Sequence, residues 1–151
     1  MTDWTRAQDG GCRCGALRFR LTGAPMLTSA CHCTGCQKMT GGAFSLTLTM
    51  PAAGFALLQG EPVIGGLHGP VAHHYHCDRC KSWVFTRAEG IDWFVNVRTA
   101  RLEAPDDAPP FLETWTAEKL PWVETGAAKR YPGDPDWSDW DRLTGEYAAR
   151  A

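Results

Sequence analysis

Short stretches in which apolar and polar residues alternate, each closed by turn formers, run through most of the chain. In ALRFRLTG, Leu17, Phe19 and Leu21 alternate with Arg18 and Arg20, the period of two expected of a strand with one buried face. GAFSLTLTMP repeats the pattern through Phe44, Leu46 and Leu48 and stops at Pro51. SWVFTR and IDWFVNVRTARLE are rich in β-branched and aromatic residues, with Glu89-Gly90 as the turn between them. Gly60, Gly65-Gly66, Gly69-Pro70 and Pro109-Pro110 punctuate the intervening segments. Helical periodicity is scarce. SDWDRLTGEYAARA predicts one short helix near the C-terminus, capped through Ser138 and Asp141 and weakened by Gly145. The pattern therefore predicts a mainly β protein, a single domain of antiparallel sheets joined by compact turns.

Composition narrows the function without changing that picture. A length of 151 residues is enough to bury a core, and 44% apolar with 21% charged residues is ordinary for a globular protein. A formal charge of −2 and the lack of basic clusters argue against a nucleic-acid partner. No apolar run approaches the roughly 20 residues of a membrane span. The opening MTDWTRAQDGG lacks the apolar stretch of a secretory signal, so the expected location is cytoplasmic, where thiols stay reduced.

The seven cysteines carry the chemistry. They form three groups: Cys12-x-Cys14, Cys31-x-Cys33-x-x-Cys36 and Cys77-x-x-Cys80. An odd count cannot be fully paired within one chain, and clustering favours metal over disulfides. A C-x-x-C turn aims two sulfurs at one point, and C-x-C does so because residues i and i+2 of an extended segment share a face. Joining Cys12 and Cys14 to Cys77 and Cys80 would close a four-thiolate structural zinc site. A redox-active Cys77/Cys80 pair is the competing possibility. Cys31, Cys33 and Cys36 are then left for a second metal, and three protein ligands with an open fourth position is the pattern of a catalytic zinc. That fourth position is water, substrate, or a histidine that closes the site. His32, His68, His73, His74 and His76 are the candidates, although His32 lies between two ligands and is expected to point away.

GGCRCGALRF, CHCTGCQKMTGGAFS, HCDRC before an aromatic strand, and LPWVE together resemble the glutathione-dependent formaldehyde-activating enzyme family, also named for centromere protein V. The likeness runs from about Gly10 to Pro132. It implies a tail over residues 1–9, a zinc-binding domain over 10–132 and an extension over 133–151. It also implies antiparallel sheets with zinc-bearing turns. A structural zinc would sit on Cys12, Cys14, Cys77 and Cys80, and a catalytic zinc on Cys31, Cys33 and Cys36. The implied reaction joins glutathione to formaldehyde as S-hydroxymethylglutathione. One departure is Lys81, where the family usually has a glycine after the last cysteine. A left-handed turn there would leave Lys81 mildly strained.

A zinc-bound thiol is deprotonated and held beside an aldehyde, and the resulting oxyanion needs a proton or a donor. Lys38, Thr40 and the amides of Gly41 and Gly42 follow the triad closely enough to serve. Glutathione carries two carboxylates, for which Arg98 is the preferred contact, with Arg101, Arg18 and Arg20 as alternatives. The expected partners are thus a small thiol and an aldehyde. The alternative is a non-catalytic zinc module that recognises a protein or a thiol-bearing partner. Seven tryptophans, several in WTAEKLPWVE and DPDWSDWD, could cover the site or form a homo-oligomer contact.

Overall fold

A computed structural model describes residues 3–67 and 69–150, so His68 lies outside the described residues. The strands, in chain order, are β1 (Gln8–Gly11), β2 (Arg18–Leu21), β3 (Leu27–Cys31), β4 (Ser45–Pro51), β5 (Phe55–Gln59), β6 (Pro62–Gly65), β7 (Ala72–Cys77), β8 (Trp83–Ala88), β9 (Ile91–Arg98), β10 (Leu112–Thr114) and β11 (Lys129–Arg130). Two α-helices join them, α1 (Thr34–Thr40) and α2 (Trp140–Ala148). The protein is mainly β, as its pattern predicts. Among the described residues no helix is long and apolar enough to cross a membrane.

The chain falls into two compact units, Met1–Pro25 with Thr49–Ala108 and Met26–Leu48 with Pro109–Ala151. In the first unit β1, β2 and β5 form an antiparallel sheet in that order. Strands β9, β8, β7 and β6 follow one another in a second antiparallel set. Phe19, Phe55, Phe85 and Tyr75 stack in succession with ring centroids 4.7–5.7 Å apart and fill the core. The alternation read in β2 holds: Phe19 and Leu21 are buried while Arg20 faces solvent.

In the second unit β10 lies between β11 and β3, and both pairs are parallel. The antiparallel expectation therefore needs this addition, since strands of two and three residues are too short to announce their direction. Leu27, Phe111, Leu112 and Leu143 make the core, covered by Tyr131, Trp140 and Tyr147. Helix α2 thus anchors the C-terminal segment through Leu143.

Three local expectations are corrected. Strand β4 is buried on both faces, Ser45, Thr47 and Thr49 as well as Leu48 and Met50. Thr49 tolerates this by bonding, its Oγ1 donating to Asn96 Oδ1 at 2.8 Å. Strand β9 ends at Arg98, and Arg101 sits in a 3-10 turn instead, donating from Nε to Trp83 O at 2.9 Å. The C-terminal helix is entered through Asp136, which accepts from Ser138 N at 2.8 Å, so Ser138 is donor rather than cap.

Candidate metal centres

Two hairpin turns of the first unit supply four thiols. The turn between β1 and β2 carries Cys12 and Cys14. It is closed by Cys12 N donating to Leu17 O and Gly15 N to Cys12 O, with Gly15 at φ +78°. The turn between β7 and β8 carries Cys77 and Cys80. There Lys81 N donates to Cys77 O at 2.9 Å, and Lys81 takes the left-handed conformation, φ +59°. The strain foreseen at Lys81 is present in the backbone.

The four sulfurs lie within 4.8 Å of one another, with Cys12–Cys14 at 3.6 Å and Cys14–Cys77 at 3.8 Å. Zinc–sulfur bonds of about 2.3 Å at tetrahedral angles put sulfurs about 3.8 Å apart, so the donor set fits that ion. Neighbouring groups favour thiolate at Cys12 and Cys80, while burial and the adjacent thiols push the Cys14 pKa up to about 11. Burial works against ionising Cys12, but the Leu17 N–H, 3.2 Å from its sulfur, and the adjacent thiols outweigh it. The Ser82 hydroxyl, 3.2 Å from Cys80 Sγ, is the main influence holding that thiol near a pKa of about 5.

The other three thiols lie in the second unit, where a strand passes into a helix. Cys31 ends β3 opposite Thr114 of β10. Cys33 caps α1, its sulfur accepting from Cys36 N at 3.3 Å, and Cys36 sits in the first turn. One sulfur thus helps to start the helix that presents another. The three sulfurs also lie within 4.8 Å of one another, and among the described residues no histidine or carboxylate joins them. Three thiols without a fourth protein ligand fit an open zinc site. Cys31 is raised by its hydrogen bond with Cys36 and by burial. Cys36 is lowered chiefly by Cys31, with the Ser45 hydroxyl contributing, so Cys36 ionises first.

His32 does point away from the thiols. It is fully buried, with Nε2 3.0 Å from Glu113 Oε1 and its ring edge-on to Phe44. His32 N donates to Thr114 O at 3.0 Å, and Gln37 Nε2 donates to His32 O at 2.8 Å. Glu113 is equally buried and is faced by Lys119 Nζ at 3.1 Å and Arg130 Nε at 2.9 Å. Burial alone would raise the Glu113 carboxyl. Hydrogen bonds from Thr125, Lys119 and His32 override it and hold the pKa at about 2. Nothing in FLETWT singles out this glutamate, whose partner His32 is 81 residues away.

The remaining predicted residues fall into two places. Thr40, Gly41 and Gly42 close the C-terminal end of α1. Gly41, at φ +64°, donates to Gln37 O, Thr40 Oγ1 donates to Cys36 O at 2.8 Å, and Gly42 N donates to Thr40 Oγ1. Lys38 is exposed on the same helix. The arginines lie in the unit of the four-thiol group. Arg98 is buried with its guanidinium 4.1 Å from the Trp83 ring centroid. Arg20 forks onto Asp9 at 2.6 and 2.7 Å, and Arg18 pairs with Glu103. His74 and His76, once candidate ligands, bond to Thr86 Oγ1 and His74 O respectively, and His73 faces Glu89.

A protein of Halomonas elongata named "Putative glutathione-dependent formaldehyde-activating enzyme" is 29% identical over 154 residues, covering 91% of this chain and 96% of that one. A Rhodobacter sphaeroides protein of known crystal structure shares the fold, with a TM-score of 0.50 at 18% identity over 63% of this chain and 87% of that one. The family model described as glutathione-dependent formaldehyde-activating enzyme matches residues 7–118, which include all seven cysteines. The chain belongs to the glutathione-dependent formaldehyde-activating enzyme family.

Proposed function

We propose that the protein holds two zinc ions and adds the thiol of glutathione, or of a similar small thiol, to formaldehyde or another small aldehyde. It would thereby act as a carbon–sulfur lyase of the S-(hydroxymethyl)glutathione synthase type. Cys12, Cys14, Cys77 and Cys80 hold a structural ion, and Cys31, Cys33 and Cys36 hold the catalytic one. When bound at the triad, zinc supplies a Lewis-acid position that favours the ionised form of a substrate thiol. In the net reaction a carbon–sulfur bond forms at the carbonyl carbon, and the thiol proton passes to the carbonyl oxygen. The observation that carries this reading is the triad itself: three thiols converge, and among the described residues no further cysteine, histidine or carboxylate joins them.

The chain's own residues shape that position. Ser45 beside Cys36 and Thr114 beside Cys31 are buried hydroxyls that temper the charge of the thiolates. Lys38 offers an exposed ammonium on the helix that bears Cys36, suited to a substrate carboxylate or to the developing alkoxide. Thr40, Gly41 and Gly42 support it by fixing the end of that helix. The stacking of Arg98 on Trp83 favours packing over contact with glutathione.

The test is the rate of thiol–formaldehyde adduct formation above the uncatalysed background, titrated with zinc, in wild type and Cys33→Ser. Catalysis in the wild type alone is expected; equal rates in both would remove the enzymatic reading. The second reading, a zinc module that docks a partner, draws on the exposure of Trp122 (74%) and Trp137 (66%).

A further inference from the structure

In the buried pair His32–Glu113, His32 lies between Cys31 and Cys33, and Glu113 precedes Thr114, which faces Cys31; the pair has no part in the proposed reaction. Burying a carboxylate is costly unless it is well paired, and truncating its partners would leave a charge stranded. Glu113 nevertheless has no exposed surface, and neither does His32. A carboxylate can only accept, so the His32 Nε2 that it meets at 3.0 Å carries the proton. Main-chain bonds of His32 to Thr114 O and from Gln37 Nε2, and the ring contact with Phe44, complete the grip. The residue so fixed is the middle one of Cys31-x-Cys33. Its backbone sets the directions of both flanking Cα–Cβ bonds, which must converge on one point.

We propose that Glu113 is a positioning residue: acting through the His32 ring, it holds Cys31 and Cys33 in the orientation that lets the triad bind metal. This rests on the triad being a metal site, the reading proposed above. Lys119 Nζ shares Glu113 Oε1 with His32, and Arg130 Nε meets Oε2; the two cations neutralise the carboxylate and hold it in place whether or not the triad is loaded. Outer residues that orient metal ligands alter metal affinity by about 10- to 100-fold, the scale anticipated here.

The four-thiol group, in the other unit, serves as an internal control. Cobalt(II) titration of the metal-free full chain, followed by thiolate-to-cobalt charge transfer, and zinc competition against a chromophoric chelator would be run on wild type, Glu113→Gln, Glu113→Ala and His32→Phe. The weaker of two binding events should lose 10- to 100-fold in affinity in Glu113→Ala and His32→Phe, while the tighter one is unchanged. Glu113→Gln, which keeps an acceptor for Nε2, should lose less and remains informative if Glu113→Ala does not fold. The double variant Glu113→Ala/His32→Phe should be no worse than either single variant, because both break one link. Unchanged triad affinity in all variants, or equal losses at both sites, would overturn the positioning role. A wild type that binds only one cobalt would overturn the metal reading of the triad, and the positioning role with it.

Discussion

Under the proposed function one side chain, Cys33, has two duties, as metal ligand and as cap of α1 through its contact with Cys36 N. Serine is a good N-cap and a poor zinc ligand, so Cys33→Ser should separate them. We predict retention of the wild-type circular dichroism spectrum and a melting temperature within a few degrees, with loss of adduct formation. Unfolding of this variant would show that the thiol is needed for structure. Lys81 has one duty that it performs at a cost. The left-handed conformation is unfavourable by roughly 1 kcal/mol for a residue with a Cβ, and the exposed pair with Asp78 returns little. Lys81→Gly should therefore raise the melting temperature by about 2 °C, allowing for the extra freedom of glycine in the unfolded chain. A fall would mean that the ion pair outweighs the strain.

Elements decide where those residues meet. Strand β10 contributes only three residues, yet it places Thr114 opposite Cys31 and Glu113 beneath His32. The Glu113 carboxyl titrates at about 2 in the folded protein, below its ordinary value of 4.5. Its contribution to stability is therefore full above about pH 4.5 and is lost as the pH falls towards 2. The gap in melting temperature between wild type and Glu113→Gln, each with zinc kept in the four-thiol centre, should shrink as the pH falls through that window; a constant gap would contradict the assignment. Such elements explain what could be read in the chain. Strand β2 is legible because its alternation spans a buried and an exposed face, β8 and β9 because they are rich in β-branched and aromatic residues, and the cysteine groups because ligand spacing is local. Helix α1, seven residues holding a glycine, a cysteine and two threonines, has no apolar stripe and no buried residue, so its formation rests on the Cys33 and Gly41 caps. Strands β10 and β11 are too short to show a period. The His32–Glu113 link joins positions brought together only by parallel pairing.

For the whole molecule, the two thiol groups should differ in what their loss costs. A closed zinc site in a small domain is worth on the order of 10–16 kcal/mol, comparable with the 5–15 kcal/mol that keeps a domain folded. Cys80→Ser should collapse the unit built on the β1–β2 and β7–β8 turns, seen as loss of the cooperative melting transition. Mild chelation should strip the three-thiol centre first and abolish catalysis with the fold intact. Exhaustive chelation should then unfold the chain, followed by circular dichroism at each step. All of this depends on seven thiols dividing four and three between two ions. Elemental analysis of zinc per chain, on wild type and Cys33→Ser purified side by side under reducing conditions, tests that division most directly. Two ions in the wild type and one in the variant are predicted; an equal content in both would contradict it.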